Sequence, residues 1–415
     1  MLFSETSLPS QILKAVADYG YQHLTPVQQQ VLPAALAGKD LLVSAQTGSG
    51  KTAAFGLPIV ARLSTNPQPH SSAAPQALIL TPTRELAQQL ATHITAFAAG
   101  SELRIVAVYG GANFRPQRQR LQQGVDVLVA TPGRLFDHLS QDYLNLSQLQ
   151  FLVLDEADRM LDLGFIKDIQ RLQKWLPSKR QTMLFSATFP DSVRNLGQQL
   201  TQQALWVELP HSAEQGNIQQ QVLLVAKQRK AELLAELVGK NNWQQILVFV
   251  NTKDAASRLG EELSLDGISN AVFHGDKTQG ARNRALADFA EGRIRVLVAT
   301  DVAARGLDIP ALPRVINFEL PPESEDYVHR IGRTGRAGLD GEAYTLISPQ
   351  ELSQLQALQQ ELKLSIPQLT PAGYETTAAL PERYRSAVTT PKAATKSRSR
   401  FQAAARSNKA NHHRR

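Results

Sequence analysis

The 415-residue chain contains no cysteine. That excludes disulfides, thiolate nucleophiles and cysteine-ligated metal sites, and a reducing compartment does it no harm. Also missing is any apolar run near the ~20 residues that a membrane-spanning helix needs. The opening residues Met1-Leu2-Phe3-Ser4-Glu5 lack the basic stretch and apolar core of a secretory leader. The expectation is a cytoplasmic protein with no membrane partner. Aromatic residues make up only 6%, but 42% apolar and 20% charged residues are ordinary for a globular chain, and the length allows two or three domains.

Acidic residues are scarce in one region. Of the 44 basic and 37 acidic residues, Pro381 to Arg415 holds ten basic and one acidic, Glu382, whereas the other 380 positions nearly balance. The overall charge of +7 therefore describes the end of the chain and not its body. A segment rich in Ser, Ala, Thr and Arg cannot bury a core, so residues 366–415 are expected to form a disordered basic tail. Such a tail suits loose, salt-sensitive attachment to nucleic acid, with a merely solubilising role as the alternative.

Short Val/Ile/Leu runs alternate with helical stretches, which is the α/β pattern. In the first half the runs are residues 41–43, 77–80, 105–108, 125–130, 151–154 and 182–185; in the second, 222–226, 246–250, 271–273, 296–299, 315–318 and 343–347. Most are continuously apolar, as strands covered by helices on both faces are, so two doubly wound parallel sheets are predicted. Polar, glycine-bearing residues 210–217 read as a linker between a domain at 1–209 and one at 218–365, whose last helix is expected near residues 351–364.

The first run leads into Ala45-Gln46-Thr47-Gly48-Ser49-Gly50-Lys51-Thr52. Two glycines let backbone N–H groups curl around a polyphosphate, and the following helix turns its positive end to the same anion. Lys51 would reach the β- and γ-phosphates and Thr52 would place its hydroxyl on Mg²⁺. Alone, with Ala45 where the usual pattern has glycine, the stretch also reads as a simple turn. A second signal lies about a hundred residues on, where Phe151-Leu152-Val153-Leu154 runs into Asp155-Glu156-Ala157-Asp158. A carboxylate at a strand tip is how phosphate-loop enzymes hold Mg²⁺, so Asp155 is the metal candidate, and Glu156 could deprotonate an attacking water. The second half has Asn251-Thr252-Lys253 after its corresponding strand and no phosphate loop, so it would complete the site from across a cleft.

Asp155-Glu156-Ala157-Asp158 spells the signature of the DEAD-box ATP-dependent RNA helicases, and from Phe3 to Arg336 the chain resembles that family, with the bacterial RhlE-like branch as one candidate. The matching blocks occur in family order. They are Gly20-Tyr21 with Thr25-Pro26-Val27-Gln28, the phosphate loop with Ala first, Pro82-Thr83-Arg84-Glu85-Leu86-Ala87, Gly110-Gly111 and Thr131-Pro132-Gly133-Arg134. Ser186-Ala187-Thr188, Gln279 with Arg282, Thr300 to Asp308 and His329 to Arg336 follow. Leu24 stands where the family usually has proline.

The resemblance implies two tandem RecA-like domains that bind ATP and Mg²⁺ between them. Gln28 would meet the donor and acceptor on adenine's edge, Tyr21 would stack on the ring and Phe3 would be the upstream aromatic, unless the two rings simply pack the core. Ala45, Gln46, Thr47, Gly48, Ser49, Gly50, Lys51 and Thr52 would cradle the phosphates. Arg333 and Arg336 would act as arginine fingers and Asp308 would touch the ribose or the attacking water; the alternative for the arginines is a surface basic face that includes Arg330. Pro82, Thr83, Arg84, Gly111, Thr131 and Arg134 would hold one RNA strand from the first domain, and Thr252, Arg282 and Thr300 from the second, through phosphate and sugar and with little sequence preference. Ser186 and Thr188 would couple the carboxylate loop to the second domain. The expected activity is RNA-stimulated ATP hydrolysis linked to domain closure and local unwinding by a monomer that larger complexes for ribosome assembly or RNA decay could recruit. An ATP-gated RNA clamp and a DNA helicase are the rivals, separated by duplex-release assays and by stimulation with RNA against DNA.

Overall fold

The computed structural model describes residues 1–45, 48–65, 74–209, 218–304, 312–335 and 340–375. The apolar runs form strands because each is too short for a helix and is buried on both faces: Ala77–Leu80 (β2), Val127–Ala130 (β4) and Phe151–Leu154 (β5) have no exposed residue. With Leu41–Ser44 (β1), Ile105–Val108 (β3), Gln181–Ser186 (β6) and Leu205–Glu208 (β7), they make a seven-stranded sheet in the order β3-β4-β2-β5-β6-β1-β7. Every pairing is parallel. Helices cover both faces, and the sheet divides the core into two layers, one around Phe55, Phe97 and Phe185, the other around Leu135, Met160 and Leu196.

The second sheet contains Ile218–Leu224 (β8), Ile246–Val250 (β9), Asn270–Phe273 (β10), Val296–Thr300 (β11), Arg314–Asn317 (β12), Gly341–Ile347 (β13) and Gln368–Leu369 (β14). Its order, β10-β11-β9-β12-β13-β8-β14, repeats the first strand for strand. The structure thus has the two parallel, helix-covered sheets expected from the sequence.

The duplication explains one correction. The tail was expected to begin at residue 366, but β14 pairs with β8, Gln368 opposite Val222 and Leu369 opposite Leu223, in the place that β7 takes beside β1. Tyr374 is then buried in the core, its hydroxyl donating to Glu236 at 2.6 Å and its ring under the Arg229 guanidinium at 4.2 Å. The folded unit reaches at least residue 375. Two of the four edge strands escape the apolar-run criterion because an edge needs little burial of its own: in β7 only Val207 is buried, and β14 is two exposed residues. β8 begins four residues before its predicted start, through Gln219 to Gln221, where Tyr327 donates its hydroxyl to Gln220 at 2.9 Å. The predicted last helix is a 3-10 turn, Pro349–Glu351, followed by an α-helix, Leu352–Glu361. Residues 210–217 and 376–415 lie outside the described residues.

Candidate functional site

Parallel strands bring their carboxyl ends to one edge of each sheet, and ligands of such sheets bind there. Beyond the end of β1, Gly48 and Gly50 take φ of +87° and +93°, and the Lys51–Thr65 helix begins at the next residue. Lys51 is buried and donates to the Ala45 carbonyl at 3.1 Å. Gly50 is required twice over, since its φ is left-handed and an added Cβ would lie 2.5 Å from the Gln28 amide nitrogen. Gln28 caps its own helix by accepting from the Thr25 N–H at 2.9 Å and donates to the Gly50 carbonyl at 3.1 Å. It therefore links the Thr25–Gln28 segment directly to the phosphate loop, and one amide hydrogen and one oxygen lone pair of its side chain are not used by these two bonds. Tyr21 is partly exposed, with Phe3 parallel to it at 6.2 Å. Phe3 is itself only 3% exposed, so it supports Tyr21 from the core side and does not offer a face to a ligand. Gln46 and Thr47 lie outside the described residues.

At the end of β5, Asp155 and Glu156 are both buried. Glu156 holds φ +54° and ψ +53°, a left-handed conformation uncommon for a residue with a Cβ, and the strain turns the chain sharply into the Ala157–Asp162 helix. Burial pushes the Asp155 carboxyl up, while Lys51 and the Glu156 N–H pull it back. Burial, with Asp155 beside it, pushes Glu156 up to about 7, against the opposing pull of Lys51 and Arg333. Asp158, not singled out from the sequence, holds the coupling loop: its carboxylate accepts from the N–H groups of Ala187 and Thr188 at 3.0 and 2.9 Å and from the Thr188 hydroxyl at 3.2 Å. In return its own N–H donates to the Ser186 hydroxyl at 3.1 Å. Ser186 and Thr188 are thus fastened to the carboxylate loop within the first domain.

The two domains meet over this loop. One cleft is lined by Glu156, Asp158 and Arg159 from the first domain and by Glu325, His329 and Arg333 from the second. Arg333 is buried, and its field acts on Glu156. Burial lowers the His329 proton affinity, and Asp158 opposes that shift across the cleft. Arg330 is not part of a surface basic face. Its guanidinium is 1% exposed, bonds both oxygens of Asp301 at 2.6 Å, donates to Asn251 at 2.7 Å and lies over the Phe249 ring. It braces the turn that presents Arg333. Asp308 and Arg336 lie outside the described residues.

The residues assigned to a nucleic-acid backbone sit at strand ends as predicted. Thr83 caps the Arg84–Phe97 helix by accepting from the Leu86 N–H at 3.3 Å, next to buried Pro82. Arg84 lies against Gly111, in the space a Cβ there would need. Thr131 accepts from the Gly110 N–H at 3.3 Å, and Arg134 donates to the Ala112 carbonyl at 3.0 Å. Behind Arg134, His138 is buried and stacked on Phe114 at 4.3 Å, and burial lowers it to about 4. In the second domain Thr252 caps its helix through the Ala255 N–H and Thr300 is buried at the end of β11.

Arg282 departs from its assignment. Its guanidinium is buried over the Phe273 ring at 4.6 Å and forms an ion pair at 2.9 Å with Glu85 of the first domain, while Gln279 donates to the other Glu85 oxygen at 2.8 Å. In this arrangement Arg282 faces another domain and not an open strand-binding surface. Glu85 was missed because an acid in a first helical turn looks like a dipole partner, and only the tertiary structure shows it buried and clamped.

Comparison with known proteins agrees with this geometry. Residues 25–196 match the DEAD/DEAH box helicase family and residues 229–338 the helicase conserved C-terminal domain. An ATP-dependent RNA helicase RhlB from Pseudomonas syringae pv. tomato is 42% identical over 375 residues, 89% of this chain and 94% of that protein. Among solved structures, Saccharomyces cerevisiae Dbp5 bound to RNA and ADP BeF3 superposes with a TM-score of 0.80 at 30% identity, over 90% of this chain and 97% of the other. A DEAD box protein from Methanococcus jannaschii is more alike in sequence, at 36% identity, yet over 89% of this chain and 99% of the other its TM-score is 0.52. Similar domains placed differently give such a contrast. With identity sustained over nearly the whole of both chains and the two domain families matched in order, the chain belongs to the DEAD-box ATP-dependent RNA helicases, which are ATP-hydrolysing enzymes.

Proposed function

We propose that this chain hydrolyses ATP at the interdomain cleft when a single strand of RNA helps to close it, and that closure separates short RNA duplexes. The carrying observation is that Arg333 of the second domain and Glu156 of the first face one cleft. The resemblance in domain placement to Dbp5 bound to RNA and ADP BeF3 supports the same reading.

In this reading Lys51 leaves the Ala45 carbonyl for the β- and γ-phosphates, and the amides of residues 45–50 cradle the chain of phosphates. Gln28 and Tyr21 recognise adenine, with Phe3 behind Tyr21. The buried Asp155 carboxylate and the Thr52 hydroxyl are hard oxygen donors of the kind Mg²⁺ takes together with phosphate and water. When bound, the ion would neutralise phosphate charge. Glu156 takes the proton of the attacking water, and a carboxyl lifted to about 7 is a stronger base than an ordinary one. Arg333, with Arg336 beside it and Asp308 near the ribose, meets charge developing on the γ-phosphate. Pro82, Thr83, Arg84, Gly111, Thr131 and Arg134, continued by Thr252 and Thr300, hold the RNA backbone.

Two domains gripping one strand along a path unlike an A-form helix exclude its complement. Hydrolysis then releases the grip. Glu156→Gln is expected to bind ATP and RNA normally and to lose turnover by about a hundredfold or more, the usual worth of a general base. Near-normal RNA-stimulated phosphate release by that variant would refute the assignment. The remaining parts of the reading are a monomeric cytoplasmic enzyme and recruitment to ribosome-assembly or RNA-decay complexes. Among the described residues no helix is long and apolar enough to cross a membrane.

A further inference from the structure

The Pro132–Ser140 helix, whose amino end carries Thr131 and Arg134, packs against the Ile166–Leu172 helix. Where they meet, Phe136 and Trp175 are edge to face at 5.7 Å, and the Arg171 guanidinium lies over Phe136 at 5.3 Å. Trp175 is 36% exposed. The other two tryptophans are more occupied: Trp243 is buried, and Trp206 donates to Glu208 at 3.2 Å while packing on Phe189. Lys167, Arg171 and Lys174, close to Trp175 in the chain, are exposed, and residues 166–180 hold five basic residues against one acid in a body whose charges taken together nearly cancel. Arg171 is tied to Asp168 only loosely, at 3.8 Å with its side chain 62% exposed.

We propose that the exposed Trp175 ring, flanked by Lys167, Arg171 and Lys174 and joined through Phe136 to the helix that bears Arg134, is a second RNA-binding surface for strand that extends beyond the interdomain grip. Sequence-tolerant binding of single strands uses an aromatic face on which a base stacks and cations that follow the phosphates, and both are present. The Arg171–Phe136 contact fixes the guanidinium beside the ring, which reduces the ordering that binding requires. Phe136 lies on the same helix as Arg134 but, two positions on, on a different face, so the helix ties the patch rigidly to the grip without making one continuous surface. The surface would raise affinity for long or structured RNA by tethering it beside the cleft, without entering the chemistry. This inference rests on the RNA-helicase reading above.

The test measures binding of the full-length protein, with a non-hydrolysable ATP analogue, to the shortest single strand that fully stimulates ATP hydrolysis and to the same strand extended at both ends. Trp175→Ala is expected to weaken the extended strand about tenfold, the worth of one stacked base, and to leave the short one unchanged. Trp175→Phe, which keeps a ring, should retain most of the affinity. Lys167→Gln combined with Lys174→Gln should lower the slope of log affinity against log salt by about 1.4, two phosphate contacts at about 0.7 each on a single strand. Equal loss on both strands would mean that the substitutions disturb the grip or the fold, and wild-type binding of both would mean that this face meets something other than RNA; either result overturns the proposal. A wild-type protein that binds neither strand would overturn the RNA reading as well, and is distinguishable from both.

Discussion

Glu85→Gln should uncouple RNA from ATP while leaving each domain intact. Glu85 and its two partners lie on different domains, with Oε1 and Oε2 bonded at 2.8 and 2.9 Å and the Glu85 and Arg282 side chains 4% and 6% exposed. Because these contacts cross the two domains, the substitution is expected to penalise the closed arrangement above all. Removing one charge from a buried, hydrogen-bonded pair strands the other, at a cost of about 2–5 kcal/mol. The lower bound alone is a factor of about 30 in the closing equilibrium. RNA affinity measured with a non-hydrolysable ATP analogue should fall by about that factor or more, and ATP affinity without RNA should not change. Arg282→Gln should behave alike, and the double variant should lose less than the two single losses combined, with a coupling of about 1–3 kcal/mol. Fluorescence anisotropy of labelled RNA, with and without the analogue, reads all of these. If the single variants bind RNA within about twofold of wild type, or if they lower the melting temperature of the ligand-free protein, the clamp does not act in closure.

Gly50→Ala should weaken ATP binding strongly, because its φ of +93° costs a Cβ about 1–2 kcal/mol and the methyl displaces Gln28; titration with a fluorescent ATP analogue checks this, and wild-type affinity would refute it. Tyr374→Ala should destabilise the second domain by about 3 kcal/mol in urea unfolding, whereas deleting residues 376–415 should leave its stability unchanged and flatten the salt dependence of RNA binding. His138 is lowered by burial to about 4, so the folded state binds fewer protons than the unfolded state between about 6.5 and 4. Stability of the first domain should therefore fall as pH drops through that window, and His138→Leu should remove that part of the slope in melting curves taken from pH 7 to 4.

Most of the architecture was legible because a strand covered on both faces must be continuously apolar, and Phe151–Leu154 and Ile246–Val250 are such runs, too short for a buried helix. The phosphate loop was equally legible, since Gly50 answers a local backbone demand that no other residue meets cheaply. The edge strands β7 and β14, unlike the apolar runs of the opposite edges β3 and β10, were not, because they owe their pairing to a neighbour and need little apolar character of their own. The same holds for Glu85, Asp158 and Arg330, ordinary charged residues in sequence whose partners lie 197, 30 and 29 positions away at Arg282, Thr188 and Asp301. Local patterns determined the elements and the chemistry each loop could offer. Which charges became buried, and what they were bonded to, depended on tertiary packing, within one domain for Asp158 and Arg330 and between the two for Glu85, because the energy of a buried charge is set by its three-dimensional surroundings.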